Sequence, residues 1–316
     1  MPVDRAAPRQ TSPLAPDAGS SDLGAPSPGA HEADRPRSWR FSSHGLGLRI
    51  WELGAGQADG PPVLLLHGYL DHGLTWAEVA RQLPDRRLLA PDQRGFGGSD
   101  GVGVGGAFHF PDYVADLDAL VDALGGGPID LVGHSMGGTV AGWFAGARPD
   151  RVRRLAIVEG LGPPQDVEDS ALERLRLFLD GSRRAPPVPV VQDEAHAAAR
   201  LRRKNPRLGE AHAALLAREG TVPTEDGAAR RWSFDRRHMV RSPTPFREAW
   251  FAQALAAITA PTLVVWGTEG WFPPEVRTRR MAMLPAARQV VLEGGHMLPY
   301  EAPVALGQAL AAHLEG

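Results

Sequence analysis

The pentapeptide Gly133-His134-Ser135-Met136-Gly137 sets a serine between two glycines, in the pattern G-x-S-x-G. It falls where an apolar run, Ile129 to Val132, meets a helical pattern from Gly137 to Ala147. A serine on such a sharp strand-to-helix turn presents its hydroxyl for nucleophilic attack, and side chains at the flanking glycines would collide with the turn. The helix that follows aims backbone N–H groups at the serine oxygen and favours negative charge there. A serine nucleophile also needs a base. His296, in Gly294-Gly295-His296, follows another apolar run and precedes a helical pattern. A loop imidazole is a candidate to take the serine's proton.

These groups need a scaffold, and the hydrophobic pattern supplies one. Trp39–Ser42 and Leu48–Glu52 read as strands, followed by Val63–Leu66, Leu88–Ala90, Ile129–Val132 and Leu155–Val158. The uninterrupted apolar runs among them suit strands buried on both faces. Tyr113 to Leu124 and Gly137–Ala147 carry helical spacing between these runs, which is the alternation of a mostly parallel sheet wrapped by helices. The alternation lapses over residues 165–258, which are rich in Arg, Glu and Ala with helical stretches such as Ala171–Leu179 and Ala195–Arg203 and no convincing strand. It resumes at Thr262–Trp266 and Gln289–Leu292 and closes with a helix over Pro303–Leu314. A structureless loop of such length is improbable inside a domain, so the interruption reads as a helical insertion. The expected division is a disordered tail over 1–36, an α/β core over 37–164 and 259–316, and a helical cap over 165–258.

Composition excludes several functions. The 316 residues carry a net charge of -3, which gives no electrostatic reason to expect nucleic acid or an anionic membrane as partner. There is no cysteine, so disulfides, a thiol nucleophile and a Cys-ligated metal are ruled out. No apolar run approaches the roughly 18 residues of a membrane span. Residues 1–36 are crowded with Pro, Ala, Ser and Gly and lack the apolar core of a signal peptide, so they read as a flexible leader on a cytoplasmic protein. The run Gly101 to Gly106 lacks the strand-turn-helix context of a dinucleotide site, and no metal-ligand cluster is evident. No cofactor is implied.

Four motifs, in order, resemble those of the α/β-hydrolase superfamily: Leu64-Leu65-Leu66-His67-Gly68, Asp92 to Ser99, Gly133 to Gly138, and Gly294-Gly295-His296. The likeness covers residues 46–160 and 260–314. The run His67-Gly68-Tyr69-Leu70-Asp71-His72 is most similar to serine-hydrolase-like proteins with a helical cap. The resemblance implies an α/β-hydrolase fold, with Ser135 as nucleophile and His296 as general base. It implies an oxyanion hole from the backbone N–H groups of Tyr69 and Met136. His67 is expected to fix its loop by hydrogen bonds, and His134 to pack beside the nucleophile without serving as base. The insertion corresponds to the cap that roofs the substrate pocket in this family.

The acid departs from the family pattern. Most relatives place an aspartate three residues after the glycine that ends the seventh strand, and here that position is Gly270 in Trp266-Gly267-Thr268-Glu269-Gly270-Trp271. Two glutamates are candidates. Glu159 directly follows the sixth strand, an alternative acid position in some haloalkane dehalogenases and lipases of this fold. Glu269 lies one residue short of the usual place. Position at a strand end favours Glu159, with Glu269 as the alternative. Near the end of the insertion Trp232, Phe234, Met239, Phe246, Trp250 and Phe251 cluster, and Trp271 and Phe272 follow the seventh strand. They either line an apolar pocket or pack the cap onto the core.

A serine in place of an aspartate nucleophile points away from epoxide and haloalkane chemistry and toward an acyl-enzyme. The expected activity is a carboxylesterase-like hydrolase acting on a small or medium apolar acyl substrate. C–C bond hydrolysis, cofactor-free perhydrolysis, acyl transfer and a non-catalytic ligand receptor remain open on the same fold. Nothing in the chain specifies an oligomeric state.

Overall fold

The computed structural model describes residues 36–55, 60–103, 105–163, 170–284 and 286–315. The tail read over 1–36 lies outside these residues apart from Pro36. The first half runs β1 (Arg37–Ser43), β2 (Leu46–Ala55), β3 (Val63–Leu66), α1 (Ala77–Ala80), β4 (Arg87–Pro91), α2 (Phe110–Ala123), β5 (Ile129–His134), α3 (Met136–Ala147) and β6 (Val152–Val158). The interrupting stretch holds α4 (Ala171–Arg183), β7 (Val190–Val191), α5 (Glu194–Lys204), α6 (Glu210–Glu219), β8 (Thr221–Pro223), β9 (Arg230–Trp232) and α7 (Glu248–Ala256). The chain then returns through β10 (Thr262–Glu269), α8 (Pro274–Met281), β11 (Arg288–Gly295), α9 (Leu298–Glu301) and α10 (Pro303–Glu315).

Eight strands form one sheet in the order β1-β2-β4-β3-β5-β6-β10-β11. β1 and β2 pair antiparallel with each other, and β2 with β4; the remaining pairings are parallel. Successive side chains of a strand face opposite ways, so the buried runs divide between two cores. Leu64, Leu66, Leu131, Val264 and Trp266 face the core packed by α2, α3 and α7. Val63, Leu65, Val132, Leu263 and Val265 face the second, closed by α1, α9 and α10. Both faces being covered is why these strands read as continuous apolar runs.

The stretch 165–258 differs from the reading of helices alone. β7, β9 and β8 make a small antiparallel sheet in that order. Strands of two or three residues are too short to display a period of two, and Arg230-Arg231-Trp232 has no apolar alternation to detect. α7, at the end of this stretch, packs on α3: Phe251 and Leu255 are buried in the first core, and Gly142 and Gly146 leave room for them and for the α7 backbone. The helices that do start as expected have local reasons to. Ser170 caps α4 by accepting from the Glu173 N–H at 3.1 Å, and Asp193 caps α5 through the His196 N–H at 2.7 Å. Among the described residues no helix is long and apolar enough to cross a membrane.

Candidate active site

Ser135 is the single residue between β5 and α3, with φ of 53°. That left-handed conformation is costly for a side chain and holds here because the surroundings over-determine it. A Cβ on Gly133 would run into the Gly137 carbonyl, and one on Gly137 would fall 2.5 Å from the Leu66 oxygen. The Ser135 N–H donates to the Val158 carbonyl of β6 at 2.9 Å, tying the elbow to the next strand.

His296 follows β11 and precedes α9. Its Nε2 lies 2.9 Å from Ser135 Oγ, and its Nδ1 lies 3.3 Å from Glu159 Oε2. A carboxylate only accepts, so Nδ1 carries the proton and Nε2 turns its lone pair to the serine hydroxyl. The His296 carbonyl accepts from His134 Nε2 at 2.8 Å. Burial, reinforced by the neighbouring His296, lowers the His134 pKa to about 4. His134 is therefore a neutral strut under the loop.

The two candidate glutamates have different surroundings. Glu159, at the end of β6, is only 1% exposed and has φ of 47°. Its own N–H donates to the Val265 carbonyl of β10 at 2.9 Å. Its Oε1 accepts from the Gly267 N–H at 2.8 Å and its Oε2 from the Trp271 N–H at 3.2 Å. A Cβ on Gly270 would collide with this carboxylate. Glu159 thus reaches across to the turn after β10, where the family pattern puts its acid. Glu269 does not reach His296. It is the last residue of β10, which runs past the Thr262–Trp266 stretch read from sequence, and its side chain is 68% exposed, 3.6 Å from Arg207.

Met136 is the first residue of α3, so its N–H has no acceptor within the helix. The loop after β3 passes close by: a Cβ on Gly68 would lie 3.2 Å from Ser135 Cβ. Tyr69 follows it, and its hydroxyl donates to the His238 carbonyl at 2.7 Å. His238 comes from a 3₁₀ turn, Arg236–Met239, and its imidazole is sandwiched between Phe96 and Phe108 at centroid distances of 3.8 and 3.6 Å. His67 holds the loop from the other side. It donates from Nδ1 to the Gly68 carbonyl at 2.7 Å and accepts the Gln93 N–H on Nε2 at 2.9 Å. Asp92 supports the same region, accepting from Trp51 Nε1 and the Gly73 and Gly98 N–H groups.

Two contributions escape the sequence reading, which places Trp271 only as a candidate for the pocket wall or the cap packing. Trp271 lays its indole flat on the His296 ring, with centroids 3.7 Å apart and planes 3° from parallel, while remaining 63% exposed. Arg277 on α8 donates to the Gly267 carbonyl at 2.6 Å and the Phe272 carbonyl at 2.8 Å, bracing the turn that carries Trp271. Neither has a local signal, because each acts across a turn whose shape is set by the sheet.

Beside Ser135 and His296 opens a cavity of about 1020 Å³ with mostly carbon walls. Tyr69, Met136, Phe246, Trp250 and Trp271 line it, whereas Phe234 and Phe251 pack into the core. The arginines at 230 and 237 pair with Glu194 and Asp235 and lie outside the lining.

Comparison with known proteins agrees with this architecture. The family model described as alpha/beta hydrolase fold matches residues 61–303. A serine hydrolase-like protein of Danio rerio is 39% identical over 123 residues, 38% of this chain and 36% of that protein. Epoxide hydrolase 4 of Mus musculus is 26% identical over 81% of this chain and 74% of its own length. Among solved structures, the thioesterase domain from the curacin biosynthetic pathway superposes with a TM-score of 0.79 at 31% identity, covering 88% of this chain and all of that one. With an eight-stranded sheet, its elbow serine and a family match that spans most of the described fold, the chain belongs to the α/β-hydrolase superfamily.

Proposed function

We propose that the chain is a serine hydrolase that cleaves a carboxylic ester, or a similar acyl substrate, through an acyl-enzyme on Ser135. The observation that carries this reading is the chain of contacts from Ser135 Oγ to His296 Nε2 at 2.9 Å and from His296 Nδ1 to Glu159 at 3.3 Å. In this reading Ser135 Oγ attacks the carbonyl carbon and His296 Nε2 takes its proton. Glu159 keeps the imidazole in one tautomer and offsets its charge. The N–H groups of Tyr69 and Met136 receive the oxyanion, each such donor being worth roughly 3 kcal/mol in the transition state. The imidazolium then protonates the leaving oxygen, and the alcohol departs. Water, deprotonated by His296, attacks the acyl-enzyme and releases the carboxylic acid and free Ser135.

Opening an epoxide through an ester intermediate requires a carboxylate nucleophile, and the elbow here carries a hydroxyl. The relatives that bear the name epoxide hydrolase therefore support the scaffold more than the reaction. The likeness to a thioesterase domain along its whole length is a specific reason to include acyl thioesters among the substrates.

A fluorophosphonate probe tests the assignment. The wild-type protein should label at Ser135 and turn over p-nitrophenyl acetate, and Ser135→Ala should do neither. Labelling that persists in the variant would sink the proposal.

A further inference from the structure

The cavity is longer than a small acyl group needs. Met136, Thr139, Trp143 and Ala147 all line it, at spacings of three, four and four, so one face of α3 borders it from end to end. From Met136 to Ala147 that face spans about 16 Å at the helical rise per residue. α2 supplies the facing wall through Phe110, Val114 and Asp118 at the same helical period. α2 and α3 pack against each other, and Arg148 at the end of α3 meets Asp118 at 3.1 Å. Phe246 and Trp250 complete the channel.

The α3 wall stays uncharged along this length, while Asp118, Arg148, Arg174 and Arg247 bring charge to the lining elsewhere. α3 carries no charge between Ser135 and Arg148, and the Thr139 hydroxyl is engaged with the Gly160 carbonyl at 3.1 Å. The volume of about 1020 Å³ lies at the upper end of the ~300–1,000 Å³ of ordinary ligand sites. A short acyl group would leave most of these walls wet. Ala147 and Arg148 are exposed, so the far end opens to solvent and sets no sharp limit on length.

We propose that this channel binds a long, linear aliphatic acyl chain laid along α3, with its carbonyl at Ser135 and its tail toward the Arg148–Asp118 pair. The inference rests on the acyl chemistry proposed above and names the substrate that such chemistry would meet here. Each methylene moved from water onto an apolar wall adds up to about fourfold in affinity. Where that energy is expressed in the transition state, it appears in kcat/KM.

The test is a series of p-nitrophenyl esters, from acetate through butyrate, octanoate and dodecanoate to palmitate, each kept below its micellar concentration. The wild type should gain on the order of a hundredfold in kcat/KM from butyrate to dodecanoate and then level off. Ala115→Phe, which fills the middle of the channel from α2, should cut that dodecanoate-to-butyrate ratio below about tenfold. Ala147→Trp, on an exposed helix end, checks the same ratio should the first variant fold poorly. Turnover of acetate with a flat or falling profile would overturn the long-chain inference while leaving the serine hydrolase reading intact. A ratio that neither substitution moves would overturn the placement along α3. Absence of both turnover and Ser135 labelling would instead overturn the proposed function, and this inference with it.

Discussion

The carboxyl ends of β6 and β10 lie side by side, with Val158 opposite Val265, and each offers a glutamate at or just past its end. Glu159 leaves β6 in a left-handed conformation, is 1% exposed, and spends its two oxygens on the Gly267 and Trp271 N–H groups and the His296 ring. Glu269 stays in the strand, and its side chain points to solvent beside Arg207. The difference teaches that sequence distance from a landmark matters less than the direction in which the backbone delivers the side chain. An acid that must hold an imidazole in one tautomer has to be held itself. The exposed pair at Glu269 is worth little by comparison.

Five substitutions bear on this contrast. Glu159→Gln keeps the shape and removes the charge, and kcat on a good ester should fall by about a thousandfold or more. A nearly normal rate would show that the carboxylate beside His296 is not the working acid. Gly270→Asp comes next. Its side chain would compete for the space of the Glu159 carboxylate, and displacing that group by even an ångström should cost about a hundredfold in kcat/KM. Combining it with Glu159→Gly, which suits the left-handed backbone, should recover at least roughly tenfold relative to Glu159→Gly alone, because the new aspartate then occupies the vacated place. Kinetics that are no better in the double variant would show that the two positions are not interchangeable. Trp271→Ala removes the indole that faces the imidazole, and kcat/KM should drop about fivefold through loss of the stack on the imidazolium. Glu269→Gln should stay within about twofold of wild type on the same ester. A loss there larger than that of Glu159→Gln would reverse the comparison.

How much of this was legible depended on how local the cause was. The elbow could be read because its glycines answer to contacts within a few residues, such as Gly133 against the Gly137 carbonyl. The buried strands could be read because both faces of the sheet are covered, which writes an unbroken apolar run into Leu64-Leu65-Leu66 and Val264-Val265-Trp266. The choice between Glu159 and Glu269 was only half legible. Position after a strand favoured Glu159, but the reason for Gly270 emerges only when the Glu159 carboxylate is seen beside it. The small sheet of β7, β9 and β8 left no period to detect. The indole of Trp271 on His296 joins residues 25 positions apart by their numbering, through a turn braced by an arginine from a helix that the pattern did not reveal.

The imidazole clamped between Phe96 and Phe108 has a consequence for the protein's behaviour in acid. Burial lowers the His238 pKa from 6.5 to about 3, and that of His134 to about 4. In the folded chain both rings stay neutral through the weakly acidic range, while in the unfolded chain each takes up a proton near its ordinary value. Below pH 6.5 the unfolded state therefore binds more protons, and stability must fall with pH. The stabilisation that neutral burial contributes is complete above pH 6.5 and is lost progressively toward pH 4 and 3. Between pH 6.5 and 5 each ring accounts for on the order of 2 kcal/mol. Melting temperatures measured across that interval should decline steeply, and His238→Phe should soften the decline. Opening the clasp that joins the insertion to the loop bearing Tyr69 frees His238 to take up that proton, so acidification favours loosening of this contact.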